Sequence, residues 1–219
     1  MIYLSHLDIS RLFMRVLRMA GLRPSYSQGF NPHPKMSIAL PLSLGLHSVC
    51  ELIEFETEKV NSVKDVPLSV LRVNDRLPEN VFVKEWWEKP AKVPKSLASY
   101  VSAAKYEIMC EGIKEAPALL EKFFSLKSVT AKKYSKKTRE ETNNEIRAEM
   151  LDYEIIKDMR GRMLAEVTLS ASPGRTLNPV IFFNAFCVSC GYTQETLSPV
   201  ITRTAILDSK GKLLREVLR

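Results

Sequence analysis

Hydrophobic and polar positions divide the chain into short segments of two periods. Ile9, Phe13, Val16, Leu17 and Ala20 recur at helical spacing, which predicts a helix running to about residue 20 with these side chains inward. Ser5 precedes it and Asp8 follows three residues later. That is capping-box spacing, with an acidic residue standing in for the commoner Glu. Gly21 ends the helix. Residues 1–4 read as the end of a strand, 36–40 have strand character, and 41–45 make a turn. Residues 51–56 alternate polar and apolar, as a half-buried strand does. A helical pattern over 67–77 and a strand over 81–87 complete the order β-α-β-β-α-β, the split βαβ signature. Trp86-Trp87 ends that last strand, so alternation sends one ring inward and the other outward.

Pro90 and Pro94, with Lys89 and Lys92 beside them, mark a linker. The domain boundary falls there, giving 1–90 and 95–219. Beyond it the pattern predicts a short helix over 96–104, a strand over 106–110 and a helix over 116–124. Strands follow over 129–134, 150–156 and 163–170, the last with Val167 and Leu169 inward. A helix over 177–190 has Pro179 in its first turn and Gly191 at its end, each suited to its place. Residues 200–207 form a strand, and Lys210-Gly211-Lys212 turns into a tail. The second half repeats the order of the first without a residue-level repeat. The expected class is α+β, as two tandem ferredoxin-like (split βαβ) domains.

Composition fits that picture. The chain of 219 residues is 45% hydrophobic and 26% charged, as in globular proteins. Its longest apolar run, Val180-Ile181-Phe182-Phe183, stops at Asn184, too short to span a bilayer. Ser5-His6-Leu7-Asp8 follows the first four residues at once, unlike a secretory signal. The expected location is the cytoplasm. Cys50, Cys110, Cys187 and Cys190 are too scattered for a disulfide framework, so reduced thiols are expected. Cys187 and Cys190 have the spacing of a redox dithiol, but at the end of an apolar helix they read as small buried hydrophobes. A net charge of +7 and a pI near 9.2 favour a polyanionic partner, RNA foremost.

One stretch carries more chemistry than its length suggests. Ser25-Tyr26-Ser27-Gln28-Gly29-Phe30-Asn31-Pro32-His33-Pro34-Lys35 lacks the periodicity of a helix or strand, and its prolines restrict the backbone on either side. It gathers two amides, an imidazole, an ammonium and two aromatics in a constrained loop, the kind of segment that carries function. Just before it, Asp8, Arg11, Arg15 and Arg18 step by three and four along the predicted helix and share a face. The candidate nucleic-acid contacts are Arg11, Arg15, Arg18, Gln28, Asn31 and Lys35. A second set, Lys132, Lys133 and Tyr134, opens a basic run that continues through Lys136, Lys137 and Arg139. There lysines would neutralise phosphate while the tyrosine stacks on a base; a solvated hairpin explains the same residues. His6, Asp8 and His33 are the candidate catalytic groups, the imidazoles as acid or base. The cap already accounts for Asp8. These three lack diagnostic metal-ligand spacing, so no metal and no cofactor is expected.

Tyr3-Leu4-Ser5-His6-Leu7-Asp8, the Arg15 and Arg18 helix ending at Gly21, and the motif from Tyr26 to Pro34 together resemble one family. It is the bacterial radical-SAM-linked family of unknown function, whose domain is fused to or encoded beside radical SAM proteins. Pro41-Leu42-Ser43-Leu44-Gly45, Ala104-Lys105-Tyr106-Glu107 and Arg203-Thr204 extend the likeness along the chain. The resemblance implies an accessory partner of a radical SAM enzyme acting on RNA or a ribosomal component. The family's usual first strand is nearly absent here. There is also no Cys-x-x-x-Cys-x-x-Cys, so this polypeptide alone is not expected to be a radical SAM enzyme. The leading expectation is a non-catalytic module that recognises RNA or a ribonucleoprotein, with no membrane partner. The alternatives are a metal-independent ribonuclease using His6 or His33, and a purely protein–protein adaptor.

Overall fold

A computed structural model describes residues 2–57, 66–90, 92–134, 141–159, 162–192 and 197–218. They form an α+β chain of two compact units. One comprises Met1–Gly45, Glu51–Tyr100 and Leu214–Arg219, the other Leu46–Cys50 and Val101–Leu213. Two short pieces therefore cross over in sequence.

In the first unit, α1 spans His6–Met19 with Ser5 as its N-cap. The Asp8 N–H donates to Ser5 Oγ at 3.2 Å, and the Ser5 N–H donates to the Asp8 carboxylate at 3.1 Å. The reciprocal box is thus closed at both ends, which satisfies two orphan donors of the first turn. Val16, Leu17 and Ala20 are buried as the spacing predicts, whereas Ile9 and Phe13 are half-buried and Met14 is buried in their stead. With Leu22 and Val73 they form the core of this unit, against which Leu12, Met36, Phe55, Leu77, Val83 and Trp86 pack. Each buried Val or Leu there contributes about 1.5–3 kcal/mol. Strand β1 (Met36–Ile38) pairs antiparallel with β3 (Ile53–Phe55), and α2 covers Val66–Asn74. The intervening β2 (His47–Ser48) belongs to the second unit.

Two expected strands of this unit are not strands. Ile2 and Tyr3 lie in a turn, where the Ile2 carbonyl accepts the Gly45 N–H at 2.7 Å. Residues 81–87 form no ladder either. Instead the Asn74 side chain clamps Val83: its Nδ2 donates to the Val83 carbonyl at 3.1 Å, and its Oδ1 accepts the Val83 N–H at 2.7 Å. One amide thus supplies both the donor and the acceptor that a neighbouring strand would have given. Without strand alternation, the Trp rings are not sorted inward and outward. Both are half-buried, and Trp86 meets Phe55 edge-on at 5.0 Å. Among the described residues up to Trp87 the unit's order is therefore α1-β1-β3-α2, two strands short of the expected pattern.

The second unit is built on β4 (Ala103–Glu111), α3 (Ala116–Ser125), β7 (Met150–Met159), β8 (Arg162–Ser172), α4 (Pro179–Ser189) and β10 (Val200–Leu207). Its sheet runs β2-β10-β4-β8-β7, with β2 parallel to β10 and the other neighbours antiparallel. Within a β-α-β-β-α-β chain, those four long strands stand in the order fourth, first, third, second. A short β9 (Arg175–Thr176) pairs with β8. The charged stretch after α3 is a hairpin of β5 (Thr130–Tyr134) and β6 (Glu141–Glu145). It is inserted between α3 and β7, and 129–134 therefore adds nothing to the main sheet.

Register explains which face is covered. Arg203, Tyr106, Val167 and Tyr153 stand directly opposite one another across four strands. The Tyr153 ring meets Phe124 of α3 at 4.4 Å, so this row faces the helices. Phe123 of α3 contacts Phe182 and Phe186 of α4 at 5.7 and 5.5 Å, and Val167 and Leu169 are buried as expected. Arg203 is buried in the same layer, its guanidinium 5.8 Å from the centre of the Tyr106 ring.

Candidate functional site

The loop after α1 folds back on itself as a closed hairpin. The Ser25 N–H donates to the Glu56 carbonyl at 2.8 Å, and the Lys35 N–H to the Ser25 carbonyl at 2.9 Å. Higher up, the Ser27 N–H donates to the His33 carbonyl at 2.8 Å, and the His33 N–H donates to Ser27 Oγ at 2.9 Å. Gly29, with φ of 127°, takes a backbone conformation that side chains disfavour. These bonds close the hairpin beneath residues 28–32, a tip on which Gln28, Phe30 and Asn31 are all exposed.

The basic face of α1 meets the base of this hairpin. Arg11, Arg15 and Arg18 are exposed on the helix, and the Arg18 guanidinium sits 5.5 Å from the centre of the Tyr26 ring. Asp8 does not neutralise the stripe strongly. Its carboxylate is held first by the Ser5 side chain and backbone, which lower its pKa, and lies 3.8 Å from Arg11. Lys35 pairs with Glu56 at 2.7 Å with both groups exposed. A surface pair of that kind is worth about 0–1 kcal/mol, so an incoming phosphate competes for the lysine at little cost.

The candidate catalytic groups are arranged less productively. His6 is exposed in the first turn of α1, Asp8 is occupied by the cap, and His33 contributes its backbone to the hairpin while its ring is exposed. Among the described residues, no group of three His, Cys, Asp or Glu side chains is placed to hold a metal ion. Lys132 is exposed on β5 opposite Asn143, and Lys133 and Tyr134 continue that strand. Lys136, Lys137 and Arg139 lie outside the described residues. Cys187 is buried near the end of α4, and burial, then Cys110 and Cys190 nearby, push its thiol up to about 12. Such a thiol is a poor nucleophile, in keeping with a packing role.

Residues 1–179 match the family described as an uncharacterized protein conserved in bacteria (DUF2344). The chain belongs to that family. The match takes in α1, the hairpin and the strands through β9, and with them the candidate nucleic-acid-binding and catalytic residues, whereas Cys187 lies beyond it. No curated protein matches the chain. Among solved structures, the DUF2344 chain is similar to one in the crystal structure of a Cbf5-Nop10-Gar1 complex, with 9% identity and a TM-score of 0.51. The likeness covers 93% of this chain and 46% of that one, so the chain spans about half the length of its solved neighbour. At that identity the likeness concerns the fold alone. Among the described residues no helix is long and apolar enough to cross a membrane.

Two features escape the sequence reading. Phe30 is fully exposed at the hairpin tip, although in sequence it is only one apolar residue in a polar loop. On the sheet face of the second unit opposite the Tyr106–Val167 row, Glu107, Glu166 and Glu154 stand directly opposite one another on β4, β8 and β7. Like charges so placed are unfavourable. Lys105 at 2.6 Å and the Thr204 hydroxyl at 3.1 Å both bond Glu166 and offset the repulsion. The alternation within 103–111 signals this polar face, but the cross-strand row depends on a register that the sequence does not state.

Proposed function

We propose that the chain is an accessory recognition module of a radical SAM system, binding RNA or a ribonucleoprotein substrate for a radical SAM partner. The observation that carries this reading is the exposed Arg11, Arg15 and Arg18 face joined through Arg18 and Tyr26 to an ordered, amide-bearing hairpin. Clustered arginines on one helix face supply the electrostatic term of polyanion binding, and Gln28 and Asn31 offer donors and acceptors for base edges. The radical SAM link rests on the resemblance of the Ser5–Asp8 and Tyr26–Pro34 motifs. A ferredoxin-like architecture belongs to the same proposal. In the second unit it is supported by the strand order and connections, and in the first by the α1-β1-β3-α2 order alone.

The test is RNA binding as a function of salt. Arg15→Ala combined with Arg18→Ala weakens binding and flattens the dependence of log K on log salt by roughly two phosphate contacts. Salt-insensitive binding, or none, rejects the reading. The ribonuclease alternative predicts RNA cleavage in the presence of EDTA that His33→Ala or His6→Ala abolishes. The adaptor alternative predicts that a radical SAM protein co-purifies in high salt without RNA.

A further inference from the structure

Phe30 is 108% exposed relative to an isolated residue, so its whole ring stands in water. Single exposed apolar residues are ordinary on protein surfaces, but this one differs in its setting. The hairpin beneath it is closed by the paired bonds between Ser27 and His33 and by Lys35 bonding to Ser25. Gly29 turns the backbone immediately before it at φ of 127°. The ring is thus presented at the tip of a hairpin closed beneath it, which lessens the ordering that binding a partner requires. Its surroundings are polar: Gln28, Asn31 and His33 flank it in sequence and are exposed. The hairpin base is tied to the basic face of α1 by Arg18 over Tyr26. From Tyr26 to Phe30 is four residues, a reach of no more than about 14 Å. A flat apolar face on the same hairpin as the Arg18–Tyr26 contact matches an unpaired nucleotide, which offers a π-face and an anionic backbone together.

We infer that Phe30 is a stacking platform for an unpaired base, which makes the ligand of this hairpin single-stranded rather than duplex RNA. This deepens the RNA-recognition reading and rests on it. Stacking needs the ring itself, whereas an apolar pocket on a protein partner would accept an aliphatic side chain. In a duplex the base faces are already stacked on one another, so Phe30 has nothing to cover.

The experiment uses the full chain with labelled oligouridylate, oligoadenylate and the duplex annealed from them, followed by fluorescence anisotropy. Wild-type protein binds the single strands more tightly than the duplex. Phe30→Ala and Phe30→Leu each lose about ten-fold in single-strand affinity, Phe30→Trp keeps it, and duplex binding is unchanged in all three. Because the ring is in water, these variants fold as wild type does, and circular dichroism checks that. Equal single-strand affinity in wild type and Phe30→Ala overturns the stacking role while leaving RNA recognition standing, provided Arg15→Ala with Arg18→Ala still weakens binding. Retention by Phe30→Leu, or preference for the duplex, overturns it in the same way. No binding to any of the three probes rejects both the stacking role and the RNA reading.

Discussion

Arg18 holds its guanidinium 5.5 Å from the centre of the Tyr26 ring, and this contact joins the cationic helix to the hairpin. Arg18 ends the basic stripe of α1 and Tyr26 stands near the hairpin base, so neither element is positioned alone. A cation–π contact at an exposed site is worth about 0.5–1 kcal/mol. Tyr26→Phe keeps the ring and leaves stability near wild type. Tyr26→Leu removes it, lowers stability by about that amount in urea denaturation, and weakens RNA binding without touching a charge. If Tyr26→Leu binds as wild type does, the helix and the hairpin are positioned independently.

The start of α1 gives a second prediction. Ser5→Ala removes the hydroxyl that accepts the Asp8 N–H and costs about 1 kcal/mol. The pH dependence follows from Asp8, whose pKa is lowered first by the Ser5 side chain and then by its backbone N–H. A depressed folded-state pKa means that the stabilisation is present above the unfolded value of 3.8 and is lost as pH falls through the folded value. Wild type and Asp8→Asn should therefore differ in stability near neutral pH and converge in acid. Denaturation series at several pH values check this, and a constant difference down to the lowest pH contradicts it.

Cys187 gives the opposite sign. Burial, with Cys110 and Cys190 nearby, raises its thiol from 9.0 to about 12. The folded state thus keeps a proton that the unfolded chain releases, so the contribution is complete below pH 9.0 and declines as pH rises toward about 12. Alkylation at mildly alkaline pH should leave Cys187 unmodified in the folded protein and modify it once the chain is unfolded. Mass spectrometry after iodoacetamide treatment reads this directly. Rapid labelling of Cys187 in the folded protein would show a reactive thiol and revive the redox reading of Cys187-x-x-Cys190.

The parts that were legible in sequence are those specified locally. Helix α1 has its cap, its stripe and its stop between Ser5 and Gly21, and the structure places all three where the spacing does. The hairpin was legible as a constrained loop because prolines and Gly29 act on their own backbone. Its anchoring was not, because Glu56, whose carbonyl accepts the Ser25 N–H, lies far along the chain. Strand β2 has two residues and is defined only by β10, and β6 was hidden by a polar composition that a two-stranded hairpin tolerates. Phe30 shows the same limit at the candidate site: its residue type was readable, but its exposure depends on how the loop closes.

Residues 81–87 show most plainly why a strand pattern is not a strand. Their β-branched and aromatic composition suits a strand, and Val83 and Trp86 do pack on the core of the first unit, but a ladder needs a neighbouring backbone. Asn74 supplies a substitute through one side chain, bonding both the N–H and the carbonyl of Val83. Asn74→Ala leaves both of those partly buried groups unpaired and should cost roughly 1–3 kcal/mol. Asn74→Asp keeps the acceptor but removes the donor, and sets a carboxylate against the Val83 carbonyl, so it should rescue little. Urea denaturation gives the free energies, and hydrogen exchange at the Val83 amide reports the local effect. Exchange should accelerate in Asn74→Ala by more than global unfolding accounts for. Unchanged protection at Val83 would mean that packing of Trp86 on Phe55, at 5.0 Å, holds the segment without the amide.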